Sequence, residues 1–136
     1  MSMPAEMRRA VIVRAGNRCE DCGLAQAGQE ATFHVDHIIP LTSGGPTELD
    51  NLGLACVSCS LRKGARTIAP DPESGLAVPL FHPRMDHWDD HFDWIGVRLL
   101  GRTAKGRATV HALRLNRDLI LAIRAEEAIH GRHPPG

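Results

Sequence analysis

The chain has 136 residues, with 16 lysines and arginines against 16 aspartates and glutamates, so its formal charge is zero with histidine neutral. That length bounds one domain with at most a small appendage, and the zero balance excludes a polycation that binds nucleic acid by bulk charge alone. No apolar run approaches the roughly 20 residues of a membrane span, and residues 1–18 lack the apolar stretch and cleavage site of a secretory signal, so a cytoplasmic address with reduced thiols is expected.

Residues 4–15 read as a helix, with Pro4 near its start and Gly16-Asn17 as its stop. Met7, Ala10, Val11 and the stem of Arg14 form its expected inner stripe. Cys19-Glu20-Asp21-Cys22-Gly23 is a tight turn, and residues 24–31 read as a loop. Residues 32–39 are rich in apolar and β-branched side chains and predict a strand ended by Pro40. The run Thr42-Ser43-Gly44-Gly45-Pro46 is turn chemistry. Residues 52–55 form a second short strand, and residues 56–64 a turn entering a short helix. Residues 67–77 read as a loop, residues 78–81 and 95–100 as strands. Trp88, Phe92 and Trp94 form an aromatic cluster that packs a satellite core. Thr103 is the expected N-cap of a helix over 104–115, and Asn116 that of a helix from 117 to about 130. The last helix is apolar nearly all round at Leu119, Ile120, Leu121, Ala122 and Ile123, which predicts deep packing ahead of a subunit contact.

All four cysteines fall into two pairs, Cys19-x-x-Cys22 and Cys56-x-x-Cys59. Each Cys-x-x-Cys turn brings two thiolates onto one ion, and two turns complete a zinc tetrahedron. Local disulfides are disfavoured in a reducing compartment, and a redox dithiol needs only one pair. The stretch between the pairs is too long for a compact zinc ribbon, so it contains a folded element of its own.

That element reads Phe33-His34-Val35-Asp36-His37-Ile38-Ile39-Pro40, a Gly-Gly turn, then Asn51-Leu52, followed by the second pair running into Lys63-Gly64. The succession resembles the HNH endonuclease family over roughly residues 19–64. Pro79-Leu80-Phe81-His82-Pro83-Arg84 and the Trp88–Trp94 region also resemble a bacterial branch of it. The resemblance implies an α+β fold: a ββα-metal core clamped by a four-cysteine zinc knuckle, with a flanking N-terminal helix and a C-terminal strand/helix extension. Residues 1–66 are then the nuclease core and residues 67–136 an extension packing on it, one structural domain overall. The resemblance further implies a DNA phosphodiesterase. His37 matches the general base, Asp36 a ligand of a catalytic Mg²⁺ or other divalent cation, and Asn51 the residue whose backbone hydrogen bonds hold the His37 loop. Zn²⁺ is then structural, on Cys19, Cys22, Cys56 and Cys59. These residue types suit the chemistry, since a neutral imidazole takes a proton near neutral pH and a hard cation prefers carboxylate oxygen.

The sequence departs from the family at Ser60, where a histidine or asparagine usually gives the second protein ligand of the catalytic metal. A water bridges Ser60 to the ion, or His34 substitutes from the strand face of Asp36, or the site binds metal weakly. Arg62, Lys63 and Arg66 are the expected backbone contacts to DNA, and the basic run from Arg98 to Arg117 extends them. No sequence-reading module is apparent, so little sequence specificity is expected. Two further readings stay open: a noncatalytic zinc-stabilised nucleic-acid-binding module on the same scaffold, and a zinc-ribbon domain whose basic segments meet an acidic protein.

Overall fold

In the computed structural model, which describes residues 3–136, Pro4 has φ −57° and stands immediately before helix α1 (Ala5–Arg14). A proline is cheap there because the first backbone N–H groups of a helix have no partner within it. Gly16 (φ 62°) and Asn17 (φ 55°) turn left-handed and end the helix. Its inner face is narrower than the expected stripe. Val11 is fully buried and Met7 half-buried, but Ala10 is exposed. Arg14 acts through its head rather than its stem, donating from Nη2 to the Leu52 carbonyl at 2.6 Å.

The chain forms two compact units, one ending at Ala65 and the other beginning at Arg66. In the first, β1 (His34–His37) pairs antiparallel with β2 (Leu52–Ala55), His34 opposite Ala55 and His37 opposite Leu52. Every residue of β2 is buried. The strand expected over 32–39 is shorter because Asn51 captures the next two amides. Ile38 N donates to the Asn51 carbonyl and Ile39 N to Asn51 Oδ1, both at 2.8 Å. Helix α2 (Val57–Lys63) follows β2 with Cys56 as its N-cap, completing a ββα unit. Glu20 stitches the first cysteine turn to β2: its N donates to the Leu54 carbonyl at 2.8 Å, and its Oε2 accepts from Leu54 N at 3.0 Å.

The second unit opens with a hairpin of β3 (Ile68–Pro70) and β4 (Ala77–Pro79); β3 lies where the sequence reads as a loop, and β4 overlaps the strand expected over 78–81. Three-residue strands are too short to show alternation. A four-residue helix, α3 (Trp88–His91), leads into β5 (Phe92–Ile95), which pairs with β6 (Arg98–Gly101). The single strand expected over 95–100 is therefore the turn and most of the second strand of a hairpin, the turn made at Gly96 with φ 60°. Helix α4 (Ala104–Ala112) is capped by Thr103, whose Oγ1 accepts from Gly106 N at 3.1 Å. Asn116 does not cap α5 (Asp118–Ile129). It bridges Leu99 instead, accepting its N–H and donating to its carbonyl, both at 2.8 Å. Nor is α5 deeply packed all round: Ile120, Arg124 and Glu127 form its buried face, while Leu119 is 66% exposed. Arg124 reaches its place by lying 4.8 Å over the Trp94 ring and donating to the Val97 carbonyl. Among the described residues no helix is long and apolar enough to cross a membrane.

Asp71 ties this unit together. Its side chain has no solvent exposure and accepts from Arg107 Nε and Nη2, each at 2.9 Å. The Arg107 guanidinium, helped by Ser74 and the Glu73 amide, holds the carboxyl well below the usual carboxylate range. The stabilisation is therefore complete above the unfolded value of about 3.9 and is lost as pH falls through the lower folded value. Thermal melts between pH 5 and pH 2 should show this loss, and Asp71→Asn should flatten that acid limb while lowering the melting temperature at pH 7.

Candidate functional site

The four cysteines converge as the paired turns require. All are buried and none is in a disulfide, and their sulfurs lie within 4.8 Å of one another. A tetrahedron with bonds of ~2.3 Å places its sulfurs about 3.8 Å apart, and Cys22 Sγ lies 3.8 Å from Cys56 Sγ. Within each turn the second cysteine's amide points at the first sulfur, Cys22 N to Cys19 Sγ and Cys59 N to Cys56 Sγ, both at 3.4 Å. Such N–H groups favour thiolate over thiol. Burial pushes the Cys19 thiol well up. Cys56, which the other three thiols hydrogen-bond, is held well below the ordinary thiol range. The donor set and its spacing fit one zinc ion.

The ββα unit carries the second site. Asp36 and His37 alternate along β1, yet both line one cleft of about 350 Å³ together with Ser60 and Lys63. The bend after His37 is what reconciles them. Asn51, only 6% exposed, holds that bend. Besides accepting from Ile39 N, its Nδ2 donates to the Ile39 carbonyl at 3.0 Å and the Pro46 carbonyl at 2.8 Å. Gly45 is required by the same closure, because a Cβ there would overlap the Ile39 carbonyl.

The loop so closed delivers Thr47 to His37, with Thr47 Oγ1 2.8 Å from His37 Nε2. Sequence reasoning missed this residue. A hydroxyl ten positions from the histidine has no periodicity to mark it, and its only sequence cue is that it follows the Gly-Gly-Pro turn. His34 is exposed on β1, and its Nδ1 lies 3.3 Å from Ser60 Oγ. The structure thus brings an imidazole from the strand against the helix position where the sequence has only a short hydroxyl.

Of the three cations expected to contact DNA, two lie in the first unit and one in the second. Arg62 Nε donates to Ser58 Oγ at 3.3 Å. Lys63 lines the Asp36–His37 cleft and donates from Nζ to the Ile38 carbonyl at 3.3 Å. Arg66 falls in the second unit, where its Nη2 donates to the Ala112 carbonyl at 3.2 Å.

Strand β1, the loop after it and helix α2 thus line an Asp-His cleft. Residues 19–66 match the HNH endonuclease family model. The matched segment takes in both cysteine pairs, β1, β2 and α2, and the match suggests a nuclease-type or nucleic-acid-related function. Neither the curated proteins nor the solved structures contain a match to the chain.

Proposed function

We propose that the protein is a metal-dependent endonuclease that hydrolyses phosphodiester bonds in DNA. The observation that carries this reading is the shared cleft of Asp36, His37, Ser60 and Lys63 inside the HNH segment. His37 is the general base. With Nε2 engaged by Thr47, Nδ1 is the nitrogen that takes a proton from the attacking water, and the productive tautomer donates its Nε2–H to Thr47 Oγ1. Asn51 keeps the ring in place by fixing the chain on either side of the loop. Lys63 puts a positive charge beside the phosphate while its own bond to Ile38 keeps it oriented. Zn²⁺ on Cys19, Cys22, Cys56 and Cys59 is structural, and the protein works in a reducing, cytoplasmic setting.

Asp36 and Ser60 line the cleft, and His34 Nδ1 lies 3.3 Å from Ser60 Oγ. Asp36 would hold a divalent cation such as Mg²⁺ or Mn²⁺, with His34 the donor beside the short Ser60 hydroxyl. Such a cation would supply Lewis-acid stabilisation of the negative charge that develops on the phosphate. One observation favours a second reading, a noncatalytic nucleic-acid-binding module: Ser60 is a poor ligand where the family uses a better one.

Titrating Mn²⁺ against the nicking of supercoiled plasmid separates these readings. Asp36→Asn should lose the metal response. Ser60→Asn should move the half-saturating Mn²⁺ about tenfold lower, within the 10–100-fold range by which groups around a metal site alter affinity, and His34→Ala should move it higher. A folded, zinc-loaded protein that nicks nothing at any Mn²⁺ concentration would leave only the binding module.

A further inference from the structure

The second unit holds a cleft of its own, about 680 Å³ against about 350 Å³ for the Asp36–His37 cleft, and Arg66, Arg114, Arg117, His111 and Asp118 line it. We propose that this cleft is a second binding site that grips the phosphodiester backbone of duplex DNA, sequence-independently, through Arg66, Arg114 and Arg117. The inference rests on the nuclease reading for its choice of polyanion, but on different residues for its chemistry.

Four cations of the unit are matched to acids: Arg102 to Asp93, Lys105 to Asp86, Arg107 to Asp71 and Arg132 to Glu127. Arg114 and Arg117 stand in no such pair among the described residues, although Asp118 shares their cleft. Backbone carbonyls orient the guanidiniums instead. Arg117 Nη1 donates to the Arg114 carbonyl at 3.1 Å, and Arg66 Nη2 to the Ala112 carbonyl at 3.2 Å. The guanidiniums of Arg114 and Arg117 are suited to phosphate oxygens, which arginine engages in a planar fork.

Arg114 adds an independent sign. It follows α4 with φ 50°, a left-handed conformation that glycine adopts at less cost. Leu113 and Leu115 on either side are 1% and 0% exposed, so the backbone between them is clamped and the Arg114 side chain is directed outward. A cation is thus kept at a strained position on a rigid turn. Apolar Val110 and Ala112 complete the lining, which suits the sugar faces between phosphates.

The test uses the zinc-loaded full chain without added Mg²⁺ or Mn²⁺, and fluorescein-labelled duplexes of two unrelated sequences. Binding is measured across a NaCl series for wild type, for Arg114→Gln with Arg117→Gln, and for a control pair of equal charge change on α1, Arg8→Gln with Arg9→Gln. Each lost phosphate contact should flatten the slope of log K against log salt by about 0.9. The cleft pair should therefore lose about two units of slope and bind both duplexes more weakly, and the control pair should lose less. Absent binding by wild type, an unchanged slope in the cleft pair, or an equal loss in the control would overturn the proposal. Plasmid nicking in the presence of Mn²⁺ keeps the two readings apart. A wild type that nicks while the cleft pair keeps its slope removes the cleft alone. A wild type that nicks nothing while binding depends on the cleft removes the nuclease alone.

Discussion

His37→Ala should nick supercoiled plasmid about 10² to 10⁴ times more slowly than wild type, the range that a positioned general base contributes. The variant should remain folded, because the His37 side chain is only partly buried and the loop beside it is held by Asn51. DNA affinity should change little, since the loss is of proton transfer and not of phosphate contacts. Thr47 gives a graded version of the same experiment. Thr47→Val keeps the shape and removes the oxygen 2.8 Å from His37 Nε2. It should lower kcat with little change in KM, because the ring loses the partner that fixes its orientation. Thr47→Ser should restore kcat. A Val variant with a lower melting temperature and an unchanged kcat would make Thr47 a packing residue only.

Zinc removal is the second large effect. Structural zinc contributes about 10–16 kcal/mol of apparent binding free energy in small domains, as much as the whole stability of most folds, about 5–15 kcal/mol. In the first unit the four sulfurs join the turn after α1 to the N-terminus of α2, and Glu20 ties that turn to β2. Chelation, or Cys59→Ser, should therefore unfold residues up to Ala65 and abolish any activity of the cleft. Both tryptophans, Trp88 and Trp94, lie in the second unit. Tryptophan fluorescence reports that unit, while protease cleavage sites between residues 19 and 63 report the first. Loss of protection in the first unit with zinc loss is the expected outcome. A first unit that stays protease-resistant without metal would show that its small core suffices.

The features most legible in the sequence are those fixed over short separations. A Cys-x-x-Cys turn can place its two sulfurs in few ways, and the two short strands and the helix entry show in local residue types, while their ββα-metal arrangement is what the resemblance to the HNH family implies. The second unit was harder to read because its order comes from distant partners. Strands of three residues such as β3 and β4 carry no alternation. Asn116 looks like a cap locally but is claimed by Leu99, seventeen residues away. The apolar stretch of α5 suggests burial all round, yet the buried face is completed by Arg124 and Glu127, whose polarity hides them from any hydrophobic pattern. In the site, Thr47 was invisible because its position depends on the whole loop closing, through Gly45 and the Asn51 bonds, onto His37. That Arg66 shares a cleft with Arg114 and Arg117 is likewise set by partners nearly fifty residues away.

The central claim is that the Asp36–His37 cleft hydrolyses DNA with a divalent cation. Its most direct test is nicking of supercoiled plasmid by zinc-loaded wild type with Mg²⁺, with Mn²⁺ and with neither, alongside His37→Ala under each condition. Nicking that requires the added cation and disappears in His37→Ala is the predicted result. Folded, zinc-loaded wild type that leaves the plasmid supercoiled under every condition would contradict it, and so would nicking that His37→Ala retains in full.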